Sequence, residues 1–123
     1  IYVFGGLNSG GIVNTVEEFN LKTNKWKTKA NMPLARKEHK VVSFQDSLFI
    51  IGGLDSNNNP VDKIDVYNPK TDKWSSLGTL PFIRSGFGLA QDSSKIYILG
   101  GKDKDNKEVK LLDITSIIAK KES

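Results

Sequence analysis

Two arginines carry the most suggestive spacing in the chain. Arg36 and Arg84 stand 48 residues apart, each shortly after a proline, Pro33 or Pro81. A guanidinium is planar, always charged and able to grip a carboxylate through two parallel hydrogen bonds. An arginine in a loop therefore suits capture of an acidic group. The same fork can instead bond backbone carbonyls and tie one part of a fold to another. The spacing alone supports both uses.

Other constellations are thin. His39 is the only histidine and follows Arg36 by three residues. The matching residue 48 positions on is Phe87, and that exchange favours packing over catalysis or metal binding. With one histidine and no cysteine, a zinc site would need carboxylates for its remaining ligands, which is uncommon. Glu17 and Glu18 are adjacent, and adjacent strand residues point to opposite faces, so they make no paired-carboxylate site. They read as a surface charge and a half-buried partner for a nearby Lys or Arg. Asp103-Lys104-Asp105-Asn106 has a faint calcium-loop spacing but lacks the loop glycine and the distal bidentate Glu, so it reads as a solvated hairpin loop. No nucleophile elbow, phosphate loop or metalloprotease helix motif occurs. The expectation is no catalytic residue, no metal and no cofactor.

Composition narrows the classes further. A chain of 123 residues with 37% hydrophobic and 26% charged content is globular and large enough for one domain. The net charge of +4 comes from 18 basic and 14 acidic residues spread without a dense run. That argues for solvated lysines rather than a nucleic-acid patch. The absence of cysteine excludes disulfides and thiolate metal sites and favours a reducing, cytoplasmic setting. No stretch approaches the roughly 20 apolar residues of a membrane-spanning helix. No signal peptide is visible. Because the chain opens at Ile1 inside an apparent strand, its natural N-terminus is expected to lie further upstream.

The elements that must position these residues repeat. Ile1-Tyr2-Val3-Phe4-Gly5-Gly6, Leu48-Phe49-Ile50-Ile51-Gly52-Gly53 and Ile96-Tyr97-Ile98-Leu99-Gly100-Gly101 are three copies of one phrase. Four apolar residues, rich in β-branched and aromatic types, read as a short strand buried on both faces. The glycine pair ends it and permits positive φ or close approach. Between the copies the register holds. Trp26 to Trp74, Phe19 to Tyr67, Pro33 to Pro81 and Gly52 to Gly100 are all 48 residues, and Gly5 to Gly52 is 47. The single-residue difference falls in the loop after the glycines, where length varies cheaply.

Each unit reads as four short strands. In the second unit they lie at Glu38–Phe44, at the glycine-pair phrase, at Val61–Tyr67 and around Trp74. In the first unit, strands follow the phrase at Val13–Phe19 and Lys25–Lys27; in the third, Gly86–Gln91 precedes it. Turns at 20–24 and 68–72 separate the strands, and prolines close the units. No long helical period appears. A four-stranded unit of this period is the signature of a propeller blade, so the class is all-β. Phe19, Trp26, Tyr67 and Trp74 read as apolar wedges between blades. The third unit keeps Val109–Ile114, with Asp113 in the place of Asp65. Thr115 and Glu122 replace the Tyr and Trp, so Ser116–Lys121 is a degenerate last strand.

A glycine pair after an apolar strand, then an aromatic, then a Trp seven residues later resembles a kelch repeat. The pairs are Phe19 with Trp26 and Tyr67 with Trp74. Segments 16–26 and 64–74 are similar to the adaptor-type kelch proteins. The resemblance implies a β-propeller segment of about two and a half to three blades. Blade one is partial over residues 1–30, blade two spans 34–79, and blade three spans 82–123. It also implies that the Arg-bearing loop and the loop after the glycine pair line one mouth of the central channel. In such relatives an Arg and a Ser bind acidic peptide groups. Carried over, that gives Arg36, Arg84 and Ser85, with Asn8 and Asp55 in the partner loops.

The implied function is a protein-interaction module for a polar or acidic peptide. The alternative is a fragment of an enzyme propeller of the sugar-acid mutarotase or carbohydrate oxidase type. The copper ligands of the kelch-like oxidases include Cys, which this chain lacks. A propeller closes with typically four to eight blades, so three leave apolar end faces open. Two arrangements satisfy that: further blades in a longer chain, or self-association of two copies that completes the ring.

Overall fold

The computed structural model describes residues 1–79, 88–91, 95–99 and 112–113. Arg84, Ser85, Gly100, Gly101 and the segment Ser116–Lys121 lie outside them. The described elements are ten strands: β1 (Tyr2–Asn8), β2 (Gly11–Asn20), β3 (Lys25–Lys29), β4 (Lys40–Phe44), β5 (Ser47–Ile51), β6 (Lys63–Asn68), β7 (Lys73–Thr79), β8 (Gly88–Gln91), β9 (Ile96–Leu99) and β10 (Leu112–Asp113). They form three antiparallel meanders in the orders β1-β2-β3, β4-β5-β6-β7 and β8-β9-β10. The glycine-pair strand is thus second in the complete four-stranded sheet. The architecture is a partial kelch-type propeller.

Local chemistry explains the meanders. Gln45 and Asp46 both adopt positive φ, 49° and 63°, the twist that joins β4 to β5 in a two-residue hairpin. At the next turns the side chains of Asn20 and Asn68 accept from the backbone N–H two residues on, at 2.9 Å in both. Asn24 and Asp72 then take the left-handed position with φ 58° and 56°. Gly53 is required by close approach. A Cβ there would stand 2.5 Å from the Lys37 carbonyl oxygen, on backbone with φ 95°.

Alternation along β5 builds the core. Leu48 and Ile50 face the first sheet and join Tyr2, Phe4, Val16, Met32, Tyr67 and Trp74. Phe49 and Ile51 face the third sheet and join Val42, Ile64, Val66 and Ile96. Ring pairs stitch the first joint: Tyr2 with Tyr67, Phe4 with Tyr67 and Phe4 with Trp74, each at 5.8 Å between centroids. Such edge-to-face pairs add roughly 0.5–1.5 kcal/mol each beyond area burial.

Three expectations need correction. The strand phrase is buried on both faces in β5 but not in β1. In the first copy Ile1 and Val3 are 65% and 47% exposed, because among the described residues no sheet packs on that side. For the same reason Trp26 is no core wedge: it is 56% exposed and leans on half-buried Phe19 at 4.9 Å. Position within a repeat sets which way a side chain points, not whether a neighbour is there. Third, Asp113 does not take the place of Asp65. Asp65 pairs with Ile50, whereas Asp113 pairs with Tyr97 and Leu112 with Ile98. Register follows turn and loop geometry, so a one-residue slip overrides the periodicity.

Candidate functional site

The segment joining β3 to β4 runs between the first two sheets and meets the backbone that follows both glycine pairs; against expectation the first pair does not end its strand, for β1 bulges at Gly5 and stays paired to Asn8, leaving a two-residue turn at Ser9-Gly10. The Arg36 carbonyl accepts from Gly6 N–H at 3.0 Å. Lys37 and Leu54 exchange backbone hydrogen bonds at 3.0 and 2.8 Å. The loops themselves are stiffened alike. Asn8 Oδ1 accepts from Gly10 N–H at 2.8 Å, and Asp55 Oδ1 accepts from the N–H groups of Asn57 and Asn59 at 2.9 and 3.0 Å. Asn8 is exposed and Asp55 half-buried. The structure therefore brings Asn8, Asp55 and the Arg36 backbone to one edge, with Ser56–Asn59 open to solvent.

The Arg36 side chain is not open there. It is fully buried, and its guanidinium forms an ion pair with Asp65, itself nearly buried. One Nη also donates to the carbonyls of Gly52 and Lys63, at 3.0 and 3.3 Å. Only Nε lacks a partner. Burial pushes the Asp65 carboxyl up, and the charges of Arg36 and then Lys63 pull it back down. For Arg36, burial lowers the proton affinity and Asp65 opposes that. This corrects the partner-gripping expectation for Arg36: its fork is spent on the fold. Sequence spacing did not single out Asp65, although Arg36 and Asp65 both recur 48 residues later as Arg84 and Asp113.

His39 is half-buried beside this pair, with Nδ1 unpartnered. Burial, with the Arg36 charge adding to it, keeps its imidazole below the usual histidine range. Among the described residues no group of three or more His, Cys, Asp or Glu could hold a metal. Glu18 is the half-buried member of its acidic pair, 3.8 Å from Lys29 Nζ and accepting from Tyr2 Oη at 3.1 Å.

A second constellation joins the first two sheets. Trp74 Nε1 donates to the Ala30 carbonyl at 2.9 Å, and Ala30 N–H donates to Asp72 Oδ1 at 2.9 Å. Tyr67 Oη donates to the same carboxylate oxygen at 2.6 Å. Both peptide groups of one residue on the first sheet's exit are thus clasped by the second. Those hydrogen bonds, Ala30 N–H first and Tyr67 second, hold the Asp72 carboxyl below its ordinary value. The Tyr67 phenol is pushed up by burial and then by Asp72. The turn at Asp72 was legible in the sequence, but its reach to Ala30, 42 residues away, was not.

Comparison with known proteins identifies the class. The model of the KLHDC2/KLHL20/DRC7 Kelch-repeats domain matches residues 1–120. The chain belongs to the kelch-repeat family. Kelch-like protein 40 of Xenopus laevis is 34% identical over 59 residues, covering 48% of this chain and 10% of that protein. Alpha-scruin of Limulus polyphemus is 38% identical over 64 residues, covering 46% of this chain and 7% of that protein. The chain thus spans about a tenth or less of the curated relatives it matches. The solved structure of YjhT superposes with a TM-score of 0.75 over 91% of this chain and 47% of that one, at 19% identity, which is a likeness of fold.

Proposed function

We propose that the chain is a protein-interaction module that holds a polar or acidic peptide segment at its loop edge, with Arg84 and Ser85 as the recognition pair and Asn8 and Asp55 flanking. One observation carries this reading. The two glycine-pair loops are drawn to a common edge by the Arg36–Gly6 and Lys37–Leu54 backbone bonds. Arg36 is neutralised by Asp65, and Asp113 stands one residue out of step with the place opposite β9 that Asp65 holds opposite β5. On this reading the Arg84 guanidinium serves a carboxylate of the partner.

The test is fluorescence anisotropy with labelled Asp- and Glu-rich peptides. Arg84→Ala with Ser85→Ala should weaken binding about tenfold or more, the scale of one lost charge-assisted hydrogen bond. Unchanged affinity overturns the proposal, and equal affinity for a peptide with Asn and Gln in place of the acids would show that the segment is recognised as polar rather than acidic.

A further inference from the structure

The last strand of the first sheet carries a charge pattern that the repeat does not require. β3 reads Lys25-Trp26-Lys27-Thr28-Lys29, with lysine at every second place. Side chains two apart on a strand share a face and stand about 7 Å apart. Lys25, Lys27 and Lys29 lie opposite Asn20, Glu18 and Val16, on the face that looks toward the second sheet. Glu18 serves Lys29, at 3.8 Å. Lys25 and Lys27 are exposed and form no ion pair among the described residues. One unit later the same three places hold Lys73, Ser75 and Leu77 in β7. The second sheet therefore forms with one lysine of the three.

The strand also offers backbone. In the order β1-β2-β3 it pairs on one side only, so half of its N–H and C=O groups point outward. Packing of sheet on sheet does not use that edge. The second sheet has core contacts on both faces, toward Phe4 and toward Ile96, and β7 still ends it without a further strand among the described residues. Further repeats would stack on faces in the same way and leave the edge of β3 open. Lysines on an edge discourage unselective pairing, because an apolar strand would have to desolvate them. An acidic strand instead supplies their counter-charges.

We propose that the outer edge of β3 takes an extended acidic segment of another protein as an added strand, its alternate carboxylates opposite Lys25, Lys27 and Lys29. Strands added in this way draw affinity from backbone hydrogen bonds and selectivity from every second side chain. A nucleic acid would meet the charge but leave the backbone edge unpaired, which favours peptide. The surface is independent of the role given to Arg84 and Ser85.

The probe is a fluorescent peptide alternating Glu and Thr, titrated with the chain and read by anisotropy. It should bind, and the same peptide with Gln for Glu should bind about tenfold more weakly. Lys25→Gln with Lys27→Gln should cost about tenfold as well, with circular dichroism unchanged because both side chains are exposed. Hydrogen exchange at the outward amides of β3 should slow when the peptide is present. Arg84→Ala with Ser85→Ala should leave this binding unchanged; a loss there would put the acidic site at the loop edge and overturn the proposal. So would equal binding of the Gln peptide, or of a same-charge peptide interrupted by prolines, which cannot extend the sheet. Tighter binding of an oligothymidylate would overturn it too. No binding of the Glu peptide also overturns it, and leaves the lysines as an edge guard.

Discussion

Replacing Arg36 with Met probes the buried ion pair most directly. Arg36 is fully buried, and its guanidinium serves Asp65, Gly52 and Lys63. Met fills similar volume but donates nothing. Asp65 is left as a buried charge and two carbonyls lose their donor. Removing one partner of a buried pair costs about 3–5 kcal/mol. That is a large part of the total stability of about 5–15 kcal/mol ordinary for a domain. With a urea slope of about 2 kcal/mol per molar, the unfolding midpoint should fall by about 2 M. The loss should also depend on pH. Without Arg36, burial raises the Asp65 carboxyl without opposition from the guanidinium. A raised acid contributes stability that is fully present below its unfolded value and lost as pH rises through the folded one, so Arg36→Met should be least damaging in acid. The double variant Arg36→Met with Asp65→Leu removes the stranded charge and should recover most of the loss. The assay is urea unfolding followed by circular dichroism at fixed protein concentration. A midpoint within about 0.5 M of wild type for Arg36→Met would refute the scaffold role. A double variant no better than the single one would show that Asp65 is not the partner that matters.

Two further outcomes test the joints between sheets. Asp72→Asn should lower stability at neutral pH and flatten its acid dependence. The wild-type carboxyl is depressed in the fold, so its contribution is present above the unfolded value and lost as pH falls through the folded one. Urea melts between neutral pH and strong acid should show the two proteins converging, and parallel curves would reject the Asp72 clasp. Gly53→Ala should lower stability by about 2 kcal/mol or more, from left-handed strain plus contact with Lys37 and His39. Gly78→Ala, at φ 130° in open space, should show the strain alone. Equal thermal shifts for the two would remove the close-approach argument.

What the sequence disclosed was periodic, and what it hid was relational. The strand phrase, the glycine pairs and the 48-residue step describe one repeating unit, and strands β4 to β7 follow them within a few residues. The strand proposed from Glu38 starts at Lys40 because Glu38 takes positive φ, 56°, and the one proposed from Val61 starts at Lys63. Trp26 and Trp74 are equal by position and unequal in surroundings because, among the described residues, only Trp74 has a neighbouring sheet beside it. The fate of Arg36 turned on Asp65, 29 residues away, whose side chain meets it only once β5 and β6 are paired. The Asp113 register departs from the period: the 48-residue step puts Asp113 opposite Ile98, and it pairs with Tyr97 instead.

Some of the contacts that order the first sheet's exit lie downstream of it, beside those that Met32 and Arg36 make back to Asn14 and Gly6. Ala30 is gripped by Asp72 and Trp74, and the Arg36 guanidinium by Gly52, Lys63 and Asp65. A chain leaving the ribosome from its N-terminus can pair β1 to β3 early and bond Met32 and Arg36 back to them. The grips on Ala30 and on the Arg36 guanidinium come only when residues 52–74 have cleared the exit tunnel. Consolidation of that joint therefore runs backward along the chain, the first sheet's exit secured by the second sheet. Synthesis at about 5–20 residues per second leaves that joint incomplete for some seconds after the segment appears, an interval in which chaperones can act.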